Sequence, residues 1–334
     1  MARGTLLVKG AIDLSQFWPA GESNADTITI TVSRDAFSFS PSRDKPFRLT
    51  HVFEDAFVRG LGRSSPIHDG KVKIRLEHVD APELLYRVPV KGCEHYRQYF
   101  AETSTCKLHD LLATFGPNPI RCEVCTSVDH PGDAFDTYGR LIGQLFACDQ
   151  QINVNFWLLQ NGWVFPSIYN SASKSDIMQV VDLTKQAQAK ALGIWPHLTA
   201  EVEIPYLTSV FRPHCIPDSV ADVGPLVMPK MFRRQVAWHI TEPETHRFRS
   251  FLAARADDGW VHTDELLAHP HIKPGRRNFS TLINEQGMLS VGPSEIVLFE
   301  KPSMLVDSRG REITSWWHGS AASRRVGVLE TSVA

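Results

Sequence analysis

Apolar and polar positions alternate with a period of two along several short stretches, the signature of half-buried strands. Leu6 to Ile12 is the first. In the second, Asp26 to Val32, the residues Ile28, Ile30 and Val32 share one side and threonines the other. In the third, Val72, Ile74 and Leu76 face one way and Lys73, Arg75 and Glu77 the other. Asp69-Gly70 is a tight-turn signal before it. Pro82 stops it, because proline donates no N–H and pushes Ala81 into an extended conformation. The strand therefore delivers Asp80 and Glu83 to its end, with Arg75 earlier on the same strand. Two more strands are predicted at 120–127 and 137–146.

Elsewhere the apolar spacing is three and four, which predicts helices. One runs from Glu94 to Phe115, a short one from Asn153 to Gln160, and a longer one over 175–192. Gly116, Gly162 and Gly193 stop them. Between about 33 and 68 the pattern is broken by Pro41, Pro46, Pro66, Gly60 and Gly62, which reads as an insertion between two strands. Residues 200–242 are rich in proline and read as a linker or strap. Residues 243–303 run helix, strand, helix, helix, hairpin, which is similar to a winged helix in pattern. Its third helix, Arg277 to Gln286, would turn Phe279, Leu282 and Ile283 inward and present Arg276 and Arg277 to phosphate, with His269, His271 and Lys273 beside them. Residues 304–334 read as a tail.

Composition narrows the class. The chain has 334 residues, of which 43% are hydrophobic and 10% aromatic, enough for real cores. No apolar run is long enough to span a membrane. The amino terminus lacks an export signal, and six cysteines do not make a disulfide scaffold. The expectation is a cytoplasmic protein with reduced thiols. A net charge of -2 means that any nucleic-acid-binding face must be local. Cys122 and Cys125 form a C-x-x-C, but positions three apart on a strand face opposite sides, so core cysteines are expected rather than zinc ligands.

The order Asp26-Thr27, then Arg75 to Glu83, then Tyr138-Gly139-Arg140-Leu141, then Val154-Asn155 and Leu158-Leu159, then Ala191-Leu192-Gly193-Ile194-Trp195-Pro196, resembles the staphylococcal nuclease family over about residues 5–197. The resemblance implies an α+β fold: a five-stranded OB-fold β-barrel with packed helices over residues 1–199, followed by the small winged-helix-like domain. It implies calcium-dependent hydrolysis of DNA and/or RNA, leaving 3'-phosphate and 5'-hydroxyl ends. By position, Asp26, Asp80 and the Ala81 carbonyl would hold calcium. Glu83 would handle the attacking water, Arg75 and Arg140 would clamp the phosphate, and Tyr138 and Tyr169 would contact substrate. These roles suit the residue types: calcium takes oxygen ligands, and guanidiniums meet charge developing at phosphorus. Two departures stand out. The family's D-G-D-T reads Asn24-Ala25-Asp26-Thr27, implying weaker metal affinity, and the link from Asp26 to Arg75 is long. A silent barrel that binds nucleic acid or protein is the alternative, and a protein partner for the C-terminal part stays open.

Overall fold

The computed structural model describes residues 4–40, 47–48, 57–58, 66–88, 95–147, 152–202, 212–213, 224–241, 247–255, 259–268, 275–299 and 305–306. Expectations for most of the 33–68 insertion, for His269, His271 and Lys273, and for nearly all of the tail lie outside these residues.

Five strands close a barrel: β1 (Gly4–Ile12), β2 (Thr27–Ser40), β3 (Lys71–Leu76), β4 (Ile120–Val128) and β5 (Leu141–Ala147). β1 pairs antiparallel with β2 and β4, β2 with β3, and β4 with β5; a parallel pairing of β3 with β5 shuts the ring. This is the OB-fold barrel, and its interior is what the period-two pattern predicts. Leu6, Val8, Ile12, Ile28, Ile30, Val72, Ile74, Leu76, Val124, Leu141 and Leu145 are all buried. β2 runs on to Ser40, so the first residues assigned to the insertion continue the barrel. The β1–β2 register slips between Val8 and Gly10. A Cβ on Gly10 would lie 2.9 Å from the Thr31 carbonyl oxygen, so glycine lets the backbones approach there.

Three helices pack on the barrel: α1 (Ala101–Ala113), α2 (Val154–Gln160) and α3 (Lys174–Ala189). α2 and α3 match their predicted spans closely, and Asn153 and Ser173 cap them by accepting backbone N–H bonds. α1 is shorter than expected. Phe100 is left-handed (φ 64°), and His95–Arg97 before it is a strand paired with Tyr86–Arg87. Buried Asn155 on α2 accepts the Leu145 N–H and donates to the carbonyls of Glu77 and Gly143, tying the helix to the ends of β3 and β5.

The expected strap contains a real helix, α4 (Pro229–Thr241), which buries Met231, Phe232, Val236 and Trp238. Beyond it lie α5 (Phe248–Ala253), β7 (Gly259–His262), α6 (Thr263–Ala268), β8 (Arg277–Asn278) and β9 (Ile296–Leu298). β9 pairs antiparallel with β7 and parallel with β6 (Ile168–Tyr169), a strand preceding α3. The C-terminal segment therefore completes a sheet begun earlier in the chain.

The third helix of the winged-helix pattern does not form. Arg277–Asn278 is a strand against Gly259–Trp260, and Phe279–Leu282 is one 3₁₀ turn capped by the Asn278 side chain. The Trp260 indole donates to the Asn278 carbonyl and the Thr281 hydroxyl, fixing that turn. Phe279, Leu282 and Ile283 are buried as expected, but a 3₁₀ turn and a bridge from Ile283 to Leu289 satisfy their spacing. The anticipated hairpin is replaced too: β9 pairs with β7 instead of with the stretch around Met288. Among the described residues no helix is long and apolar enough to cross a membrane.

Candidate active site

The site forms where β3 ends. Val79–Asp80 pairs with Phe165–Pro166, which fixes Asp80, while the turn into β2 fixes Asp26. Asn24, which stands where the family pattern has aspartate, accepts the backbone N–H groups of Asp26 and Thr27 and so shapes that turn itself. Ala25 beside it is fully buried.

Arg75 joins the two aspartates. Its Nη1 lies 3.0 Å from Asp26 Oδ2 and its Nη2 donates to Asp80 Oδ1 at 2.7 Å. The Ala81 N–H donates to Asp26 Oδ2 at 2.8 Å, and the Thr27 hydroxyl to Asp26 Oδ1 at 3.0 Å. Glu83 is held at its backbone by the Gln98 side chain, whose amide also donates to the Val227 carbonyl just before α4. Asp26, Arg75, Asp80, Ala81 and Glu83 thus lie together at the end of β3.

Arg140 stands at the rim. It belongs to the turn before β5, not to the strand expected there, because Asp136 accepts its backbone N–H and both Nε and Nη2 at 2.7 Å. It also donates to the Thr27 hydroxyl, which links it to Asp26. Tyr138, 73% exposed, lies under its guanidinium with 5.3 Å between group and ring centre. Arg277 is not at the site: it makes a two-pronged pair with Glu265 and lies over Trp260. Arg276 lies over Phe299.

The residue that sequence reasoning missed is Arg233. From α4 its Nη2 donates to Asp80 Oδ2 at 3.0 Å and its Nη1 donates to Glu83 Oε1. Lys230, one turn earlier, donates to the Tyr169 hydroxyl at 3.4 Å and lies over its ring. A signal was present. Pro229 suits a first helical turn, and Met231, Phe232, Val236 and Trp238 follow with a polar face opposite. The many prolines around it masked that pattern.

Burial and these pairings set the ionisation. Burial pushes the Glu83 carboxyl up to about 7, against the pull of Arg233, with Asp80 and Asp26 adding to the rise. Burial would raise Asp80 also, but Arg233 and Arg75 outweigh it and hold that carboxyl below its ordinary value. Burial lowers Lys230, and Lys230 in turn lowers the Tyr169 phenol. The clustering of shifted acids with fixed cations marks a functional site more often than a structural one.

The cation implied by the resemblance does not fit this arrangement. Both oxygens of Asp26, both of Asp80 and Oε1 of Glu83 already accept donors from the protein. Among the described residues no group of three or more histidines, cysteines, aspartates or glutamates is arranged to hold a metal.

His78 adjoins the site between β3 and Asp80. It is left-handed (φ 67°), with its side chain 3% exposed, and burial lowers its imidazole below the ordinary 6.5. The folded state therefore binds fewer protons than the unfolded one. Its contribution is complete above about 6.5 and is lost as pH falls through the folded value. Thermal denaturation from pH 8 down to 5 should carry this fall below about 6.5, set against the opposite contribution of Glu83, whose raised carboxyl takes up a proton in the folded state over the same range. His78→Asn, which tolerates the left-handed backbone, should flatten that fall. An unchanged slope in the variant would clear His78 of the effect.

The barrel gathers acids and arginines at its strand ends. Residues 73–197 match the family described as staphylococcal nuclease homologue. The match takes in Arg75, Asp80, Glu83 and Arg140 and ends before α4. No match is found among the curated proteins.

Proposed function

We propose that the chain hydrolyses phosphodiester bonds of DNA and/or RNA at this site. The observation that carries the proposal is the meeting of Arg75, Asp80, Glu83 and Arg233 at the end of β3 in a nuclease-like domain. Glu83 takes the proton of the attacking water, and its raised carboxyl suits a base working near neutrality. Negative charge grows on the equatorial oxygens as water adds to phosphorus. Arg75 from below and Arg140 from the rim meet that charge with paired N–H donors. Tyr138, exposed over Arg140, offers a face on which a base can stack. The family typically depends on calcium, which the resemblance assigns to Asp26, Asp80 and the Ala81 carbonyl. Here both acids are already engaged by arginines.

A second reading is a silent, nuclease-like barrel that binds nucleic acid or protein. It is favoured by one observation: Glu83 and Asp80 both bear an arginine from α4. Incubating the full chain with single-stranded DNA, duplex DNA and RNA, with calcium and with chelator, separates the two. Cleavage of any substrate, with 3'-phosphate ends, supports the first. Binding without cleavage under every condition supports the second.

A further inference from the structure

The strongest unexplained feature of the molecule is the place of Arg233. Arginine side chains on exposed helices ordinarily reach water. This one comes from a helix anchored by Met231, Phe232 and Val236, and it aims at two acids withdrawn from water, Asp80 and Glu83. Asp80 is 5% exposed at its side chain, Glu83 17% and Arg233 28%. Tyr86 fixes the helix from below, its hydroxyl donating to the Arg233 carbonyl at 3.1 Å.

The acids themselves set the requirement. Asp26, Asp80 and Glu83 crowd one volume, and buried carboxylates so close cannot all ionise without positive charge between them. Arg75 bridges Asp26 and Asp80 but does not reach Glu83. When Glu83 ionises beside Asp80 a further cation is needed between them, and Arg233 is the group that bridges them. We infer that Arg233 is a built-in counter-cation that holds the carboxylate oxygens a divalent ion would otherwise take, so that Arg233 and calcium exclude each other at this site. The inference builds on the proposed active site but not on turnover.

Two geometric points support exclusion over cooperation. The Arg233 fork takes Asp80 Oδ2 with one nitrogen and Glu83 with the other, so it lies between the acids instead of beside them. The remaining Asp80 oxygen faces Arg75. A divalent ion entering there would meet two guanidiniums and would lose the oxygen shell it needs. Lys230 adds a third positive charge on the same face of α4. The resulting charge pattern also explains how acids this buried persist beside the barrel: the chain carries its own neutralising groups.

The test measures calcium binding to the purified full chain by titration calorimetry, with terbium luminescence as a second probe, and does not depend on cleavage. Wild type should show no saturable binding in the millimolar range. Arg233→Met, which keeps the aliphatic packing, should bind calcium at least tenfold more tightly, and its melting temperature should rise with added calcium where that of wild type does not. Because Arg233→Met leaves two buried acids without their partner, Arg233→Lys provides a variant better able to fold. A point charge reaches one carboxylate at a time, so it should strengthen binding by a smaller factor. Equal calcium affinity in wild type and in whichever variant folds overturns the inference, whether both bind or neither does. If wild type excludes calcium but also cuts no substrate, the inference holds and the proposed activity fails. If wild type cuts but binds calcium as tightly as the variants, the activity holds and the inference fails.

Discussion

Glu83→Gln should lower phosphodiester cleavage by about 10²- to 10⁴-fold, the usual worth of a positioned general base. The substitution is isosteric, and the site stays neutralised because Asp80 keeps both Arg75 and Arg233. Folding should therefore change little, and loss of rate cannot be traced to loss of structure. The pH dependence gives an independent check. With its carboxyl pushed up to about 7, Glu83 is protonated and idle in acid, and the wild-type rate should climb as pH rises through about 7. The variant should lack that rising limb. Near-normal turnover in a well-folded Glu83→Gln protein would take the water's proton away from this residue.

Arg75→Met should cost about 3–5 kcal/mol of stability, the range found when one partner of a buried pair is removed. Arg75 is 15% exposed and its two partners less so, so water does little to relieve the aspartates left behind. Arg75 also joins two parts of the fold, since Asp26 precedes β2 and Asp80 follows β3. Urea unfolding should show an earlier midpoint with an unchanged slope. In the molecules that remain folded, turnover should fall more than substrate affinity, because the guanidinium meets charge that appears at the transition state. A shift below about 1 kcal/mol would mean that the pair is hydrated and contributes as surface pairs do.

The barrel was legible because alternation is a local property. Each strand announces its inner face in its own residues, and Pro82 marks where Asp80 and Glu83 emerge. Arg75 and Asp80 belong to one strand and its end, whereas Asp26 joins them only through the resemblance to the nuclease family. Arg233 was not legible in this way. Its role depends on where α4 docks, and docking follows from the apolar face of that helix meeting residues far away in the chain. The third C-terminal helix failed for a related reason. Apolar spacing of three and four is shared by an α-helix and by a 3₁₀ turn running into a bridge, and the Trp260 indole selects the latter. Tyr138 and Arg140 were placed one element too late, because Asp136 gathers their backbone N–H groups into a turn.

The joining of β6 to β9 gives the boundary of the matched stretch a particular meaning. Similarity stops at residue 197, yet the sheet crosses that point, and so does the charge balance. A chain severed there would keep Asp26, Asp80 and Glu83 and lose Lys230 and Arg233. It would be a more acidic site with an open strand edge, and its appetite for cations would be that of a different protein. The folded unit that carries the proposed site is longer than the stretch that matches the family.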